Sequence, residues 1–333
     1  MKIGLFFRVG NPEPWQRDWH QLYGEMLEQC EAGEALGFDA VTTTEHHFSP
    51  DGYVPCPLTV EAAIAARTER VLICSYVLLL PLYHPLRLAE EAALVDVISG
   101  GRLVLGMGLG FRWEEYAAFG VDRKRSGPRM DECIEVLVRA FTEDRFTFKG
   151  EFFDIVNSGM TPKSYRKPRP LMWLGRPDNE ASIRRIAQWE LDGFAGEPPP
   201  HMYDKYLKLC AEYGTAPHAK GQRLLFGHCA QDPERAWHEA KKHAQWSWAW
   251  YRDWHWSYGN TTVMNDPLRD DAEQFVFADP DGWKKILGEI ASHRDPEVSH
   301  TFVGLALPGL PHETVMNSME LFAREVLPAV QEA

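Results

Sequence analysis

The stretch Ala40-Val41-Thr42-Thr43-Thr44-Glu45-His46-His47-Phe48 decides the fold. Valine and the three threonines are β-branched and favour a strand, and the turn cluster at residues 49–52 stops it. The strand therefore ends in one carboxylate and two imidazoles just before a loop, which is where an α/β enzyme places its chemistry. Because neighbouring strand residues point to opposite faces, His46 and His47 do not share a cavity if the strand persists through them, which argues against a shared metal. The alternative is that one histidine packs while the other caps the loop.

Length, composition and charge limit the classes of protein to which this chain can belong. The chain has 333 residues, of which 44% are hydrophobic and 25% charged, and this suits one large α/β barrel or two smaller domains. The formal net charge of −13 disfavours nucleic acid or an anionic membrane as partner. The six cysteines form no Cys-x-x-Cys pair, which predicts buried thiols in a reducing compartment. Residues 1–8 are apolar for too short a run to be a signal peptide, and no apolar run approaches the ~20 residues of a membrane span. We expect a soluble cytoplasmic protein.

Outward from the opening stretch, strands and helices alternate with short joins. Strands are predicted at residues 1–8, 71–80, 103–108, 171–174, 193–195, 224–229 and 300–307. Helices are predicted at residues 19–36, 58–68, 86–98, 130–141, 181–189, 203–213, from 233 onward, and 314–330. This alternation favours parallel strands joined by right-handed crossovers, and eight such repeats close into a (β/α)₈ TIM barrel. A doubly wound open sheet is the alternative, since periodicity does not show closure.

The simplest domain organisation is a single domain over residues 1–333 with two insertions. The first, at about 145–170, includes a hairpin around Lys149-Gly150. The second, at about 245–279, holds the tryptophan-rich piece Trp246–Trp256 and a polar tract up to Asp271, both predicted as irregular. We expect the tryptophans to line an apolar substrate pocket or a lid. The alternative is that they pack in a dimer interface or in the core. Glu114-Glu115 is predicted to be a solvated loop pair.

Glycines follow the strand at residues 103–108. The spacing G-x-G-x-G at residues 106–110 superficially suggests a dinucleotide loop, but Phe111-Arg112-Trp113 follow where a small-residue helix start is needed. No acidic ribose ligand is evident either. Glycines at a strand end also permit a flat ligand such as a flavin ring to approach the backbone closely.

Three motifs, in order along the chain, resemble one family. They are Glu45-His46-His47-Phe48, then residues 80–91 (LPLYHPLRLAEE), then residues 99–108 (SGGRLVLGMG). Together with residues 311–313 and the closing helix at 321–328, they resemble the bacterial luciferase-like flavin-dependent monooxygenases. The resemblance covers most of the chain and is weakest at about 245–279.

The resemblance implies a (β/α)₈ barrel that binds reduced FMN at the carboxyl ends of its strands and uses dioxygen to oxygenate a small organic substrate. His46 matches the family's catalytic histidine and is expected to act as general acid and base. Glu45 is the second candidate catalytic residue, with a structural role as the alternative for it and for His47. His84, at a helix start, is expected to be structural.

The resemblance also implies cofactor contacts. The family often carries a non-proline cis peptide below the flavin ring, and counting back from Pro81 places it at Tyr76-Val77. Gly108 stands where luciferase has its reactive cysteine, so light emission is not implied. Luciferase also has an arginine where this chain has Leu109, so we expect some phosphate affinity to be lost or to be supplied elsewhere.

The cofactor phosphate is expected to meet two other segments. Arg129 matches a phosphate-contact arginine of the family. The segment Gly175-Arg176-Pro177-Asp178-Asn179 precedes a helix where family members offer backbone N–H groups to the phosphate. Charge from Arg176 is an inference of ours beyond the motif.

The family further implies a two-component enzyme. Reduced FMN would come from a separate NAD(P)H:flavin reductase, since no nicotinamide site is visible, and a homodimer is expected. No metal is expected. The alternatives are a deazaflavin-dependent oxidoreductase that transfers hydride without oxygen, a non-catalytic flavin-binding homologue, and a metal-dependent barrel hydrolase.

Overall fold

The computed structural model describes residues 1–257, 275–292 and 298–331, with the helix but not the side chains given for residues 250–257. The strands are β1 (Lys2–Phe7), β2 (Ala40–Thr43), β3 (Leu72–Ser75), β4 (Leu78–Leu79), β5 (Leu103–Gly108), β6 (Phe146–Lys149), β7 (Asp154–Ser158), β8 (Leu171–Gly175), β9 (Gly193–Ala195), β10 (Lys220–Cys229), β11 (Phe275–Ala278) and β12 (Val298–Ala306). The helices are α1 (Trp19–Leu36), α2 (Pro57–Ala65), α3 (Pro85–Ser99), α4 (Trp113–Ala118), α5 (Ser126–Thr142), α6 (Glu180–Gln188), α7 (Pro200–Tyr213), α8 (Pro233–Ser257), α9 (Pro280–Ser292), α10 (His312–Glu325) and α11 (Leu327–Gln331). The predicted alternation of strands and helices is confirmed.

The chain divides into two compact units, one formed by residues 1–55 with residues from 222 onward, the other by residues 56–221. In the first unit the strand order is β11-β10-β12-β1-β2, with parallel pairs. Leu5 pairs with both Val41 and Val303, so β1 lies between β2 and β12. Every residue of β1 after Lys2 is buried, as expected of a strand covered on both faces.

The second unit has the order β3-β5-β8-β9, and the start of β10 pairs with β9. All of these pairs are parallel. Its core is a continuous cluster of buried residues, in which α3 and α5 contribute Leu88, Ala92, Ile134 and Leu137 against Leu105 of β5. Burial of each leucine or isoleucine side chain contributes about 1.5–3 kcal/mol.

Helix ends follow their sequence signals. The Asp18 side chain accepts a hydrogen bond from the Gln21 N–H at 3.1 Å and starts α1. Gly37, at φ 97°, ends the same helix in the left-handed conformation that glycine adopts without a Cβ clash. The predicted bounds of this helix are confirmed.

Arg102 joins the start of β5 to the loop before β3. Its buried guanidinium donates to the carbonyl oxygens of Ala65, Thr68 and Val71, at 3.2, 2.7 and 2.9 Å respectively. Its Nε also donates to the Ser99 carbonyl at 2.7 Å, so one side chain satisfies four carbonyl groups, a role that needs the several donors of arginine.

The first predicted insertion contains the expected hairpin. Strands β6 and β7 pair antiparallel, and the Gly150 N–H donates to the Phe153 carbonyl at 2.9 Å. The Glu132 carboxylate of α5 accepts from the backbone N–H groups of Glu151 and Phe152, at 2.6 and 3.0 Å, which ties the turn to the unit.

Several elements differ from prediction. The tryptophan-rich piece is helical, because α8 continues to Ser257, and the polar tract up to Asp271 lies outside the described residues. Helices α4 and α9 and strand β11 were not predicted. The last helix divides into α10 and α11, since Leu327-Pro328 follows Val326 and proline lacks the N–H that a continuous helix needs.

Candidate functional site

The Glu45-His46-His47 motif lies just beyond the carboxyl end of β2. Because β2 ends at Thr43, the alternation expected of a continuing strand does not extend to the two histidines. Nε2 of His47 lies 2.7 Å from Oε1 of Glu45, whose side chain is fully buried. The structure therefore pairs Glu45 with His47, so this carboxylate orients the second imidazole of the motif.

His46 is held by a different set of contacts. Its backbone N–H donates to the Val54 carbonyl at 3.3 Å. Its ring packs edge-to-face on Tyr53, with centroids 4.8 Å apart, and the residue is 7% exposed. This packing restricts the ring of His46, which a proton-transfer residue requires.

Arg8 and Asp51 form a buried ion pair next to Tyr53. Nη2 of Arg8 is 2.8 Å from Oδ2 of Asp51, and both side chains are buried. The guanidinium stacks over the Tyr53 ring at 4.8 Å and the Trp246 ring at 5.4 Å, and Nη1 donates to Oγ of Ser247 at 3.3 Å. Arg8 thus ties β1, the loop after β2 and α8 together.

Sequence analysis missed both members of this pair. Arg8 directly follows the apolar strand β1, and Asp51 lies within the turn cluster that was assigned only to stopping β2. A charged residue at the carboxyl end of a buried strand was the available signal.

In the second unit, the peptide bond Tyr76–Val77 is cis, which confirms the prediction. The bond lies between β3 and β4. Tyr76 and Val77 are half-buried, whereas Ser75 and Leu78 on either side are buried. Burial raises the pKa of the Tyr76 phenol above its ordinary value, with Cys74 adding to the effect. The Tyr76 side chain is thus partly desolvated, while residues 76 and 77 keep some accessible surface between the buried Ser75 and Leu78.

The glycines of β5 make room for this segment. A Cβ at Gly106 would lie 2.1 Å from the Ser75 carbonyl oxygen, and one at Gly108 would lie 2.6 Å from Cγ2 of Val77. Both positions need glycine because the backbone of β5 passes so close to residues 75–77. The close approach of Val77 is sufficient to account for a glycine at position 108. The assignment of Gly108 to cofactor binding stays a prediction.

Arg129, the predicted phosphate contact, lies in the first turns of α5. Its Nε donates to the Pro81 carbonyl at 2.8 Å and its Nη2 to the Tyr83 carbonyl at 3.4 Å, while its guanidinium lies 4.5 Å from the centre of the Phe153 ring. These contacts fix the orientation of the guanidinium. The phosphate role of Arg129 stays a prediction.

The second predicted phosphate segment joins β8 to α6. Arg176 has φ 61°, and its Nε lies 3.0 Å from Oδ1 of Asp178, both side chains being exposed. The Asn179 side chain accepts from the Ala181 N–H at 2.9 Å and caps α6. Gly175, the last residue of β8, is half-buried. The segment does lead into a helix N-terminus as predicted, and its use for phosphate is untested.

One prediction near β5 is wrong. Glu115 is not a solvated loop residue, because it lies in α4, is fully buried and is 3.2 Å from Nη1 of the buried Arg112. The helical register places residues 112, 115 and 116 on one covered face, where the Tyr116 hydroxyl donates to the Leu109 carbonyl. Glu114 is exposed, as expected.

Two smaller sequence predictions concern His84 and the cysteines. His84 packs edge-to-face on Phe153, with centroids 5.3 Å apart, as expected of a structural residue. None of the six cysteines forms a disulfide, and five are buried, Cys56 being exposed. Among the side chains that the structure describes, no group of three or more His, Cys, Asp or Glu residues is arranged to hold a metal ion. Within the same residues, no helix combines the length and apolarity needed to cross a membrane.

Known proteins give an independent comparison. A family model described as luciferase-like monooxygenase matches residues 1–298. The alkanal monooxygenase beta chain of Photorhabdus luminescens is 28% identical over 251 residues, covering 72% of this chain and 75% of that protein. The oxygenase component of the flavin-dependent trigonelline monooxygenase of Acinetobacter baylyi is 31% identical over 180 residues, 54% of this chain and 49% of that protein. The chain spans about half the length of several curated relatives that it matches.

Solved structures resemble the whole chain. Monooxygenase RslO1 from Streptomyces bottropensis has a TM-score of 0.82 at 26% identity and covers 100% of both chains. The oxygenating constituent of 3,6-diketocamphane monooxygenase from Pseudomonas putida, solved with FMN, has a TM-score of 0.77 at 17% identity, covering 99% of this chain and 98% of that chain. An F420-dependent secondary alcohol dehydrogenase has a TM-score of 0.72 at 17% identity, with the same coverage. The last two show the fold alone.

The fold is a (β/α)₈ TIM barrel, as predicted, with parallel strands alternating with surrounding helices. The doubly wound open sheet, the alternative left by the sequence, does not apply. In a barrel of this kind, chemistry is carried by the residues just after the strands, where the motif at residues 45–47 and the Tyr76–Val77 bond are found.

Proposed function

This chain belongs to the luciferase-like monooxygenase family, and from that membership we propose that it is an FMN-dependent monooxygenase that oxygenates a small organic substrate with dioxygen. The observation that carries the proposal is the family match over residues 1–298, which includes every residue to which a catalytic or cofactor role is assigned. The FMN complex of the diketocamphane enzyme, which has the same fold, supports the choice of cofactor.

His46 is the proposed general acid and base. Histidine is the side chain best suited to moving a proton near neutral pH. Packing on Tyr53 and the hydrogen bond to Val54 hold His46 in place beyond the end of β2, so the ring needs little reorganisation to act. Glu45 supports the motif by holding His47 at 2.7 Å. We assign Glu45 a positioning role for this reason.

Residues of the second unit suit a flavin. The accessible surface of Tyr76 and Val77 offers a partly apolar contact for an aromatic ring system. The backbone N–H groups at the start of α6, after Gly175, and the cation Arg129 suit an anionic phosphate. When bound, a reduced flavin would supply the electrons that activate dioxygen.

The partners follow from the same membership. A separate NAD(P)H:flavin reductase would supply reduced FMN, as suggested by the trigonelline relative, which is named an oxygenase component. A homodimer and a cytoplasmic location are part of the proposal. The net charge of −13 agrees with a partner that is neither nucleic acid nor an anionic membrane.

The rival cofactor is a deazaflavin, favoured by the fold shared with the F420-dependent alcohol dehydrogenase. Purified protein would be titrated with FMN and with F420 and then supplied with reduced FMN from a generic reductase. Ketones, aldehydes, sulfides and terpenes form the substrate panel. FMN-dependent, oxygen-consuming turnover of a panel member supports the proposal, whereas hydride transfer to or from F420 without oxygen contradicts it.

Variants then separate catalysis from binding. His46→Ala should lower oxygenation at least about 100-fold, the usual contribution of a general acid or base, while FMN still binds. His20→Ala, at an exposed histidine of α1, is the matched control and should be unchanged. Tight FMN binding without turnover in wild type and His46→Ala alike would indicate a non-catalytic flavin-binding protein.

A further inference from the structure

A small cavity lies in the first unit, at the carboxyl ends of β1 and β12. Three phenylalanines and one tryptophan, which we call the aromatic box, form most of its wall: Phe6, Phe226, Phe275 and Trp248. Leu307, Pro308 and Gly304 line another part. The volume open to the centre of a water molecule is about 20 Å³, enough for one small guest, since about 10–15 Å³ suffices for a water.

The aromatic box is ordered by ring contacts. The centroids of Phe6 and Phe226 lie 5.3 Å apart, those of Phe226 and Phe275 5.7 Å, and those of Phe275 and Trp248 4.9 Å. Such pairs add about 0.5–1.5 kcal/mol each beyond their buried area. These contacts fix the four rings before a guest binds. The aromatic box is therefore preformed.

The described residues around the cavity offer a guest almost no polar surface. The polar side chains that line it, Arg8 and Ser247, are hydrogen-bonded to each other, and Arg8 is also paired with Asp51. Apolar cavities of this kind stay dry and take apolar guests such as xenon.

The cavity belongs to the same end of the sheet as His46. Strands β12, β1 and β2 are parallel neighbours, with Phe6 in register with Thr42 and Phe7 with Ala306. Side-chain contacts also connect the two places, since His46 packs on Tyr53, Tyr53 lies under the Arg8 guanidinium, and Arg8 lines the cavity.

We propose that this cavity is a binding site for a small apolar substituent of the organic substrate, about one or two carbon atoms in size, with Gly304 and Phe226 determining how much fits. The inference rests on the proposed function and deepens it by naming the substrate class, an organic molecule that carries a short alkyl group. Arg8 holds Ser247, a second lining residue, through the 3.3 Å hydrogen bond.

Gly304 controls the size of the site. A Cβ added there would lie 2.8 Å from Cδ1 of Phe226 and 3.5 Å from Cδ1 of Phe6. Because Phe226 is half-buried and its ring is a side chain, the ring can turn into the cavity to relieve the contact. Gly304→Ala therefore fills the cavity, and Phe226→Leu enlarges it.

The first experiment detects the guest directly. Crystals of wild type and variants pressurised with xenon should show xenon against Phe226 and Phe275 in wild type and in Phe226→Leu, and none in Gly304→Ala. Gly288→Ala, at an exposed glycine of α9 with open space around it, is the matched control and should keep the xenon. Absence of xenon from this cavity in wild type overturns the proposal whether or not the enzyme turns over.

The second experiment measures specificity with pairs of ketones that differ by one methylene, such as 2-butanone and 2-pentanone. Gly304→Ala should lower the preference for the longer member in kcat/KM about 10-fold or more, the usual worth of a methylene in an apolar pocket, and Phe226→Leu should raise it. Opposite shifts in the two variants cannot come from a general loss of folding.

The outcomes separate the two proposals. Turnover by wild type with the same ketone preference in both variants overturns the substrate site and leaves the monooxygenase intact. If the variants change only the KM for dioxygen, the cavity binds dioxygen and not an alkyl group of the substrate. This result also overturns the proposed substrate site. No turnover of any panel member contradicts the proposed function, while the xenon result still decides for or against an apolar site.

Discussion

The buried ion pair between Arg8 and Asp51 gives the sharpest test of how the first unit is held together. Nη2 and Oδ2 are 2.8 Å apart, and the side chains are 3% and 2% exposed. At an effective dielectric constant of about 20, the attraction is about 6 kcal/mol, which offsets a desolvation cost of several kcal/mol for each ion. Asp51→Asn removes one charge and leaves the guanidinium buried. We expect the free energy of unfolding to fall by about 3–5 kcal/mol.

Urea titration followed by circular dichroism, at constant pH, measures this fall. Arg8→Met combined with Asp51→Leu removes both charges and should recover at least about 2 kcal/mol of the loss, since paired buried charges are often replaceable by apolar groups. The exposed pair Arg87–Glu91 is the control, and Glu91→Gln should change stability by about 0.5 kcal/mol at most. If Asp51→Asn lowers the free energy of unfolding no more than Glu91→Gln does, the Arg8–Asp51 pair does not stabilise the first unit.

Three further predictions concern stability. Arg102→Lys cannot reach all four backbone carbonyl groups to which Arg102 donates, those of Ala65, Thr68, Val71 and Ser99, so urea titration should show a loss of about 2–4 kcal/mol. Gly106→Ala places a Cβ 2.1 Å from a backbone oxygen and should lower the melting temperature clearly, whereas Gly24→Ala, in open space in α1, should not; equal effects would contradict the close-approach argument. Burial lowers the pKa of His243 from 6.5 to about 4. As the pH falls from about 6.5 to 4, the unfolded chain therefore takes up a proton that the folded chain does not, and stability drops. His243→Gln should make this drop shallower in urea midpoints measured across that range, and an unchanged slope would contradict it.

Local signals in the sequence were enough to predict most of the fold. Asp18 and Gly37 mark the ends of α1, and the β-branched run before Glu45 marks β2, because capping, turn and strand preferences act over a few residues. The helical state of Trp246–Trp256 could not be decided in this way, since its tryptophans include pairs two apart, which suit a strand, and pairs four apart, which suit a helix.

The site was predictable only in part. The motif around His46 and the cis bond at Tyr76–Val77 came from the resemblance to the family. The pairing of Arg8 with Asp51, 43 residues away, depends on tertiary packing that no local pattern encodes. Glu115 was misjudged because burial of a charge depends on the partner that the helix brings to it, here Arg112.

The most direct test of the central claim is isotope transfer from ¹⁸O₂ in the presence of reduced FMN and a substrate found in the panel. Mass spectrometry would measure the label in the product for wild type, His46→Ala and His20→Ala. We predict one labelled oxygen atom per product molecule in wild type and His20→Ala, and product formation at least about 100-fold slower in His46→Ala. Product that carries no label, or that forms equally fast without His46, would contradict the account.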